Sequence, residues 1–318
     1  MTAEIKKTSL STSSICRENG VNRMIEIKNL TKRFDDKVAV NAVNFTIKSG
    51  TICGFAGSNG SGKSTLLRML SGVYYPDAGD VLVDGESVFE NMNVKSKCYY
   101  ISDYPFFANN ATISKLASYL SKVYPNWDNE YYQKLCKFFP LDTNAKIINM
   151  SKGMQRQAAL ILAFATKPKY LLLDEIFDGL DPVIRQMLKR LIIQNVTDNG
   201  MTAVIASHNL REFEDICDTL VVLHDGVVVD NSNVDNMKAT SFRVQIAFGD
   251  DIDPSVFNDL SPMNIQQNGR FFTFIATGNE EDINARLDGL NPVFKELIPL
   301  TLEEVFIKEM GGVGYEVK

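Results

Sequence analysis

Short apolar runs alternate with apolar residues at helical spacing from residue 24 to about residue 240. Runs of four to eight apolar and β-branched residues predict strands, and apolar residues three and four positions apart predict helices. The predicted strands are Met24–Ile27, Asn44–Ile47, Thr51–Ala56, Tyr99–Ser102, Tyr170–Asp174, Thr202–Ser207 and Thr219–His224. This alternation is typical of an α/β domain.

The strand pattern disappears between residues 103 and 168. The segments TISKLASYLSKVY (112–124) and NEYYQKLCKFF (129–139) instead carry helical spacing. We therefore predict an all-helical subdomain, at about residues 103–168, inserted into the sheet domain of residues 24–240.

A change in pattern and charge marks residues 241–318 as a separate accessory α+β domain. Its predicted order, β-α-β-β-α-β-α, resembles a split-βαβ, ferredoxin-like module. This segment has 6 Lys/Arg and 13 Asp/Glu residues, a net charge of −7, whereas the whole chain carries −6.

A capping box is predicted at the start of the last helix, because Thr301 and Glu304 fit the pattern T-x-x-E. Val305, Phe306 and Met310 give this helix one apolar face. We predict that this face packs on the sheet of its own domain.

The first 23 residues are polar, rich in Ser and Thr, and show neither strand nor helix spacing. They are predicted to be a disordered extension. The alternative is that Met24 is the true start, because a strand pattern begins at that residue.

Composition narrows the class of protein. The chain has 318 residues, of which 45% are hydrophobic and 23% charged, so it is long enough to bury a core and is not disordered throughout. A net charge of −6 does not indicate nucleic-acid binding.

Five scattered cysteines without a CxxC pair favour a reducing, cytoplasmic compartment. The longest apolar run, Ala158–Ala165, is far short of a membrane span, so any membrane role needs a partner.

A phosphate-binding loop is predicted where the strand 51–56 ends. The segment GSNGSGKST matches the pattern GxxxxGK[ST] between a strand and a helix. Glycines let backbone N–H groups surround a phosphate, Lys63 adds a positive charge, and the Ser64 hydroxyl suits Mg²⁺. The predicted nucleotide-binding residues here are Gly57, Ser58, Asn59, Gly60, Ser61, Gly62, Lys63, Ser64 and Thr65.

Two carboxylates follow the apolar strand 170–173. Parallel strands deliver such residues to the edge of the sheet where ligands bind. Asp174 fits a metal ligand, and Glu175 fits a general base that activates water.

Two further sequence positions suit a phosphate site. Ser151 is placed to N-cap a helix that runs to about Thr166, and Ser-x-Gly at a helix N-terminus binds anions. His208 follows the predicted strand 202–207. A single histidine is more often structural than catalytic, but this position favours a catalytic role.

Together these motifs resemble the ATP-binding cassette (ABC) ATPases. GSNGSGKST is similar to Walker A, MSKGMQ to the signature motif, LLLDE to Walker B, DGLD to the D-loop, and the His208 loop to the switch histidine. The resemblance covers about residues 24–240. It implies a P-loop NTPase fold with a mixed sheet and a helical subdomain.

The resemblance also implies the mechanism and the partners. Two cassettes would face each other head to tail and enclose ATP and Mg²⁺ between the Walker motifs of one and Ser151 and Gly153 of the other. Phe34 stands where the family stacks an aromatic on adenine; the alternative is an ordinary loop aromatic. A separate transmembrane permease subunit would hold the protein at the inner face of the membrane and carry substrate specificity.

Four positions depart from the family pattern. Asp103 occupies the position of the Q-loop glutamine and is predicted to reach the metal through water. Lys152 and Met154 replace Gly and Gln in the signature, and Ile176 replaces the proline that usually follows the catalytic glutamate. The segments SKGM, YPNWD, DGLDP and PLTLEEVFIKEM are most similar to ABC-2-type exporter ATPases.

The competing hypothesis is a non-transport ABC ATPase of the translation or DNA-repair type. Such proteins usually carry two cassettes, long coiled-coil arms or zinc-binding cysteines, and the sequence shows none of these. A GTPase is disfavoured because the guanine-recognition pattern [NT]KxD is missing.

Overall fold

A computed structural model describes residues 24–311, so the predicted N-terminal extension lies outside the described residues. The strands are β1 (Met24–Phe34), β2 (Lys37–Lys48), β3 (Ile52–Ala56), β4 (Ala78–Val83), β5 (Glu86–Ser87), β6 (Cys98–Ile101), β7 (Tyr170–Asp174), β8 (Thr202–Ser207), β9 (Thr219–His224), β10 (Val227–Asn233), β11 (Ser241–Ala247), β12 (Met263–Asn268), β13 (Phe271–Thr277) and β14 (Phe294–Pro299).

The α-helices are α1 (Lys63–Leu70), α2 (Met92–Lys95), α3 (Ile113–Val123), α4 (Asn129–Phe138), α5 (Lys152–Ala165), α6 (Pro182–Asn199), α7 (Val234–Ala239), α8 (Glu280–Asp288) and α9 (Leu302–Gly311). Three short 3₁₀ helices lie at Ile147–Asn149, Leu210–Glu212 and Pro254–Leu260. Among these described helices, none is both long and apolar enough to cross a membrane.

A six-stranded sheet forms the centre of the cassette, in the order β10-β9-β3-β8-β7-β6. Its neighbouring strands are parallel except for β10 and β9. Side chains alternate between two cores, so that Ile205 of β8 joins the core containing α5 and α6, whereas Val204 joins the core containing α1. The parallel strands β3, β7 and β8 therefore end at the same edge of the sheet, where the candidate site lies.

A second, antiparallel sheet, in the order β2-β1-β4-β5, packs in the same core as α1. The strands predicted at Met24–Ile27 and Asn44–Ile47 are the buried ends of the longer β1 and β2. The predicted bounds of β7, β8 and β9 are confirmed.

Helices α3, α4 and α5 form the segment predicted to be all-helical. Ile113, Leu135 and Leu160, one from each helix, are buried together in the core on the α6 side of the central sheet. The helical prediction is confirmed, with one isolated bridge between Thr112 and Lys146 in addition.

Residues 241–299 build a four-stranded sheet in the order β12-β13-β11-β14, with antiparallel neighbours. Strand β13 lies between β11 and β12, which confirms the predicted split-βαβ order. The segment predicted as the first helix of this unit is a 3₁₀ helix, and with α8 it covers one face of the sheet over a separate apolar core.

The predicted packing of α9 is wrong. Leu302 and Val305 are buried in the cassette core together with Leu210 and Phe213, and not in the separate apolar core of the sheet of residues 241–299. The physical reason is that α8 and the 3₁₀ helix already cover the apolar face of that sheet. The side chain of Met310 lies outside the described residues. The division of the chain at residue 240 remains a prediction.

Candidate nucleotide site

The nine residues predicted to bind nucleotide form the loop between β3 and α1 and the first three residues of α1. Gly57 and Gly62 have φ angles of 154° and 108°. A Cβ on Gly57 would lie 2.3 Å from the Leu223 carbonyl oxygen, and one on Gly62 would lie 2.6 Å from that of Ala39. Only glycine therefore fits at these two positions, which hold the loop tightly against β9 and β2.

The cation of the loop is Lys63, the first residue of α1. Its Nζ donates to the carbonyl oxygens of Gly57 at 2.7 Å and Ser58 at 3.0 Å. The residue is only 5% exposed, and burial lowers the pKa of its ammonium group. The ammonium group is thus held within the loop, as a phosphate-binding lysine requires.

Ser64 and Asp174 meet although 110 residues separate them. The Ser64 hydroxyl donates to Asp174 Oδ1 at 3.0 Å, and the Tyr100 hydroxyl donates to Oδ2 at 3.3 Å. Asp174 is fully buried at the end of β7. Burial raises its pKa to about 6, and the negative charges of Asp103 and Glu175 act in the same direction. The predicted pairing of these two motifs is therefore present in the fold.

The two residues predicted to be catalytic are in contact. His208 Nδ1 lies 2.9 Å from Glu175 Oε2. Glu175 has a φ of 46°, a left-handed conformation that is strained for a residue with a side chain. Its amide donates to the carbonyl oxygen of Ala206 at 2.9 Å, which holds Glu175 beside the end of β8. The Asp178 carboxylate lies within 4.8 Å of both groups.

Asp103, predicted as a metal ligand through water, pairs with a cation. Its Oδ1 lies 3.4 Å from Arg68 Nη2. Its backbone carbonyl accepts from Arg156 Nη2 of α5 at 3.1 Å, which connects the residues after β6 to the signature helix. The negative charge of Asp103 raises the pKa of Asp174.

Phe34 lies at the end of β1 and is 42% exposed. Its ring makes an edge-to-face contact with Tyr74, with 5.4 Å between the centroids. Lys32 Nζ lies 5.5 Å from the same ring. This placement leaves part of the ring open to stacking, and the adenine role of Phe34 remains a prediction.

The signature residues begin α5. Ser151 caps the helix by accepting from the Met154 amide at 3.2 Å, which confirms the predicted helix start. A Cβ on Gly153 would lie 2.9 Å from the carbonyl oxygen of Gly179 in the segment DGLD. Gly153 is thus also needed for close packing within the chain, besides its predicted contact with ATP.

Sequence reasoning missed the role of Tyr100 and Arg68. Arg68 Nε donates to the Tyr100 hydroxyl at 3.4 Å, and Arg68 Nη1 donates to the Tyr74 hydroxyl at 3.3 Å. Arg68 thereby links Tyr74, which contacts Phe34, to Tyr100, which donates to Asp174. The available signal was that Tyr100 places a hydroxyl one position before the end of β6 and that Arg68 lies on the helix after the phosphate loop.

These elements define a class. A phosphate loop opens a helix, a buried aspartate and a glutamate end the adjacent strand, and a histidine from the next strand reaches that glutamate. This is the arrangement of a P-loop ATPase whose chemistry consists of positioning a triphosphate and a water.

Comparisons with known proteins give the family. The family model described as ABC transporter matches residues 40–178. The ABC transporter ATP-binding protein YtrB of Bacillus subtilis is 32% identical over 289 residues, which cover 91% of this chain and 99% of YtrB. The chain therefore belongs to the ABC transporter ATP-binding proteins.

Two other similarities agree with this family. The bacitracin transport ATP-binding protein BcrA of Bacillus licheniformis is 26% identical, with coverage of 92% of this chain and 99% of BcrA. A bacterial ABC transporter cassette solved as a dimer superposes with a TM-score of 0.61 at 22% identity, covering 66% of this chain and 99% of the cassette. The chain is an ATP-binding and ATP-hydrolysing subunit of an ABC transporter, with the predicted α/β cassette fold.

Proposed function

We propose that this protein powers export through a separate transmembrane subunit, using Glu175 and His208 for hydrolysis. The observation that carries the hydrolytic role is the contact between these two side chains, at the edge of the sheet where Ser64 meets Asp174. The direction of transport is supported by the Nod factor export ATP-binding protein I of Burkholderia lata, which is 28% identical over 90% of this chain.

The residues divide the reaction between them. Residues 57–65 bind the phosphates of ATP, and Lys63 supplies the positive charge among them. Glu175 accepts the proton of the attacking water, and His208, in contact with Glu175, orients that carboxylate and the terminal phosphate. Phe34 stacks on the adenine ring.

The donor set fits Mg²⁺. The Ser64 hydroxyl and the Asp174 carboxylate are hard oxygen ligands already held together. Asp103 would act on the metal through water. When bound, Mg²⁺ would neutralise charge on the phosphates. A nearby cation would also favour the ionised form of Asp174, which burial disfavours.

A second cassette completes the site. ABC cassettes work as dimers with transmembrane subunits, and here Ser151 and Gly153 would contact the ATP held by the other copy. Because α5 presents its N-terminus with a capping serine, it offers backbone N–H groups to an anion.

The receiving surface for the permease lies beside α3, after β6. Tyr104, Phe106 and Tyr119 are 70%, 91% and 63% exposed, whereas Phe107 and Trp127 pack against the cassette core and Tyr124 contacts Tyr99. Three of these six aromatic residues are thus exposed to a partner. Through that partner the protein would lie in the cytoplasm at the inner face of the membrane.

Nucleotide binding by the variant Lys63→Ala tests whether Lys63 contacts the phosphates of ATP. Fluorescent ATP should bind the variant at least about tenfold more weakly, since a charge-assisted contact worth about 1.5–3 kcal/mol is lost. Lys137→Ala, on the exposed side of α4, is the matched control and should bind as wild type. Unchanged binding by Lys63→Ala would exclude Lys63 from the phosphate contact.

Copurification of a membrane subunit tests whether the exposed aromatic residues bind a permease. A co-expressed six-span permease should copurify with the wild-type chain and be lost with Phe106→Asp, whereas Met92→Asp, at another exposed apolar residue, should retain it. Equal recovery with both variants would contradict this receiving surface.

A further inference from the structure

Helix α9 contacts the segment that follows His208. Glu303 Oε2 accepts from Arg211 Nε at 3.0 Å, and the Leu302 amide donates to Glu214 Oε1 at 3.4 Å. The first turn of the C-terminal helix is therefore bound to residues only three and six positions beyond the candidate catalytic histidine.

An apolar contact reinforces these polar ones. Leu302 and Val305 of α9 are buried in the same core as Leu210 and Phe213, which belong to the 3₁₀ helix after His208 and its end. Burying a leucine stabilises a contact more than an exposed ion pair does. The polar and apolar contacts together therefore join the helix to the segment after His208.

Residues 210–214 also hold the backbone on both sides of His208 in place. The Ser207 hydroxyl donates to Glu212 Oε2 at 2.6 Å, and the Asn209 amide donates to the Ser207 hydroxyl at 3.0 Å. Ser207 and Glu212 are both buried. A displacement of residues 210–214 would therefore be transmitted to residues 207 and 209, and hence to the histidine between them.

The other side of α9 is attached to the C-terminal sheet. Arg243 of β11 forms an ion pair with Glu304. The Thr301 amide donates to Glu304 Oε2 at 2.9 Å, and the Glu304 amide donates to the Thr301 hydroxyl at 3.3 Å, as a capping box requires. Glu304 thus links the sheet to the start of the helix.

We propose that α9 is a positioning element for His208, through which the C-terminal module sets the rate of ATP hydrolysis. The proposal rests on the proposed role of His208 in hydrolysis. Movement of the module shifts residues 210–214 and changes the contact of His208 with Glu175, but it leaves the phosphate loop unchanged.

Charge reversal at the Arg211–Glu303 pair, in the full-length chain, tests whether α9 positions His208. Glu303→Arg places two cations together and should lower kcat by about twofold to fivefold, the size of effect expected for a partly exposed pair, with KM for ATP unchanged. The swap Arg211→Glu with Glu303→Arg restores the attraction and should recover kcat. Asp288→Arg, at an exposed acid of the same module that pairs with Lys295, is the control for the charge change and should hydrolyse ATP as wild type.

A spectroscopic readout reports the position of His208 directly. The chain has two histidines, so isotope-labelled imidazoles give two NMR signals, and His208→Gln identifies the one from His208. Glu303→Arg should shift the His208 signal, and the swap should return it to the wild-type position.

The outcomes separate this inference from the proposed function. An unchanged His208 signal and kcat in Glu303→Arg would overturn the role of α9. Loss of hydrolysis in His208→Gln would then still support the catalytic assignment. If His208→Gln hydrolyses ATP as wild type, the catalytic assignment of His208 fails, and the proposal fails with it.

Discussion

The hydroxyl of Ser64 donates a hydrogen bond of 3.0 Å to the carboxylate of Asp174, which lies 110 residues further along the chain. This bond joins the start of α1 to the end of β7 at one edge of the central sheet. It brings together the hydroxyl and the carboxylate that are expected to hold Mg²⁺. The other carboxylate oxygen of Asp174 accepts a hydrogen bond from the Tyr100 hydroxyl. Tyr100 lies outside the recognised motifs.

Tyr100→Phe should weaken Mg²⁺-dependent binding of ATP. The change removes the hydroxyl that donates to Asp174 at 3.3 Å and accepts from Arg68, while the ring keeps its packing. We expect the Mg²⁺ concentration for half-maximal hydrolysis to rise roughly threefold to tenfold, as for a long hydrogen bond to a charged group. Fluorescent ATP binding without Mg²⁺ should change little.

The neighbouring tyrosine supplies the control for that measurement. Tyr99 lies in the same strand, on the opposite face of the sheet, and contacts Tyr124. Tyr99→Phe should leave the Mg²⁺ dependence as in wild type. An equal shift in both variants would show a general effect on β6 and argue against a specific role for Tyr100.

Asp103→Gln should retain ATPase activity or raise its basal rate. The substitution restores the neutral side chain of the family pattern and removes a negative charge that faces Asp174. The pair with Arg68 that it loses is partly exposed and contributes about 1 kcal/mol at most. Steady-state hydrolysis without the permease measures the effect; complete loss of turnover would show that the carboxylate itself is required.

Much of the site could be predicted because its residues follow one another closely. The segments 57–65 and 174–175 carry their chemistry in adjacent positions beside buried strands, so their placement follows from the strand ends. The bounds of β7, β8 and β9 were equally predictable because each is a continuous apolar run.

Other features depended on contacts between distant parts of the chain. Strands β4 and β10 were not predicted because Gly79 and Asp80 in β4 and the polar run 230–233 in β10 interrupt the apolar pattern. Strand β5 is only two residues long, too short to show a pattern. Pairing with neighbouring strands forms these elements instead. The apolar face of α9 was visible in the sequence, but its partner was not, since both the C-terminal sheet and the cassette core offered apolar surface.

Leu302→Ala should destabilise the cassette although Leu302 lies in the C-terminal helix. The side chain is fully buried in the cassette core, so truncation should lower the free energy of unfolding by about 2–5 kcal/mol. Val293→Ala, at a residue that is 77% exposed, should change it by less than about 0.5 kcal/mol. Chemical denaturation followed by circular dichroism measures both variants.

The packing of α9 also predicts the stability of a truncated chain. Removing residues 241–318 would expose the core around Leu210 and Phe213, so the shortened chain should be less stable than the full chain. Full stability of that truncation would contradict the observed packing of α9.

Glu212→Gln should alter the pH dependence of stability. Burial raises the pKa of the Glu212 carboxyl above its ordinary value of 4.5, so the folded chain binds this proton more tightly than the unfolded chain. The stability that this group contributes is therefore fully present below about pH 4.5 and is lost as the pH rises through the raised pKa. The glutamine variant should gain stability relative to wild type across that window, and a constant difference between the two unfolding curves from pH 4 to 8 would contradict this.

Hydrolysis and binding of ATP by Glu175→Gln test the central claim most directly. In a single-turnover assay with radiolabelled ATP and Mg²⁺, loss of the general base should slow hydrolysis by about 10²–10⁴-fold. Equilibrium binding should match wild type, and the ATP-bound variant should elute from size exclusion as a dimer. Hydrolysis at the wild-type rate by Glu175→Gln would contradict the assignment of Glu175 as the base and the mechanism built on its contact with His208.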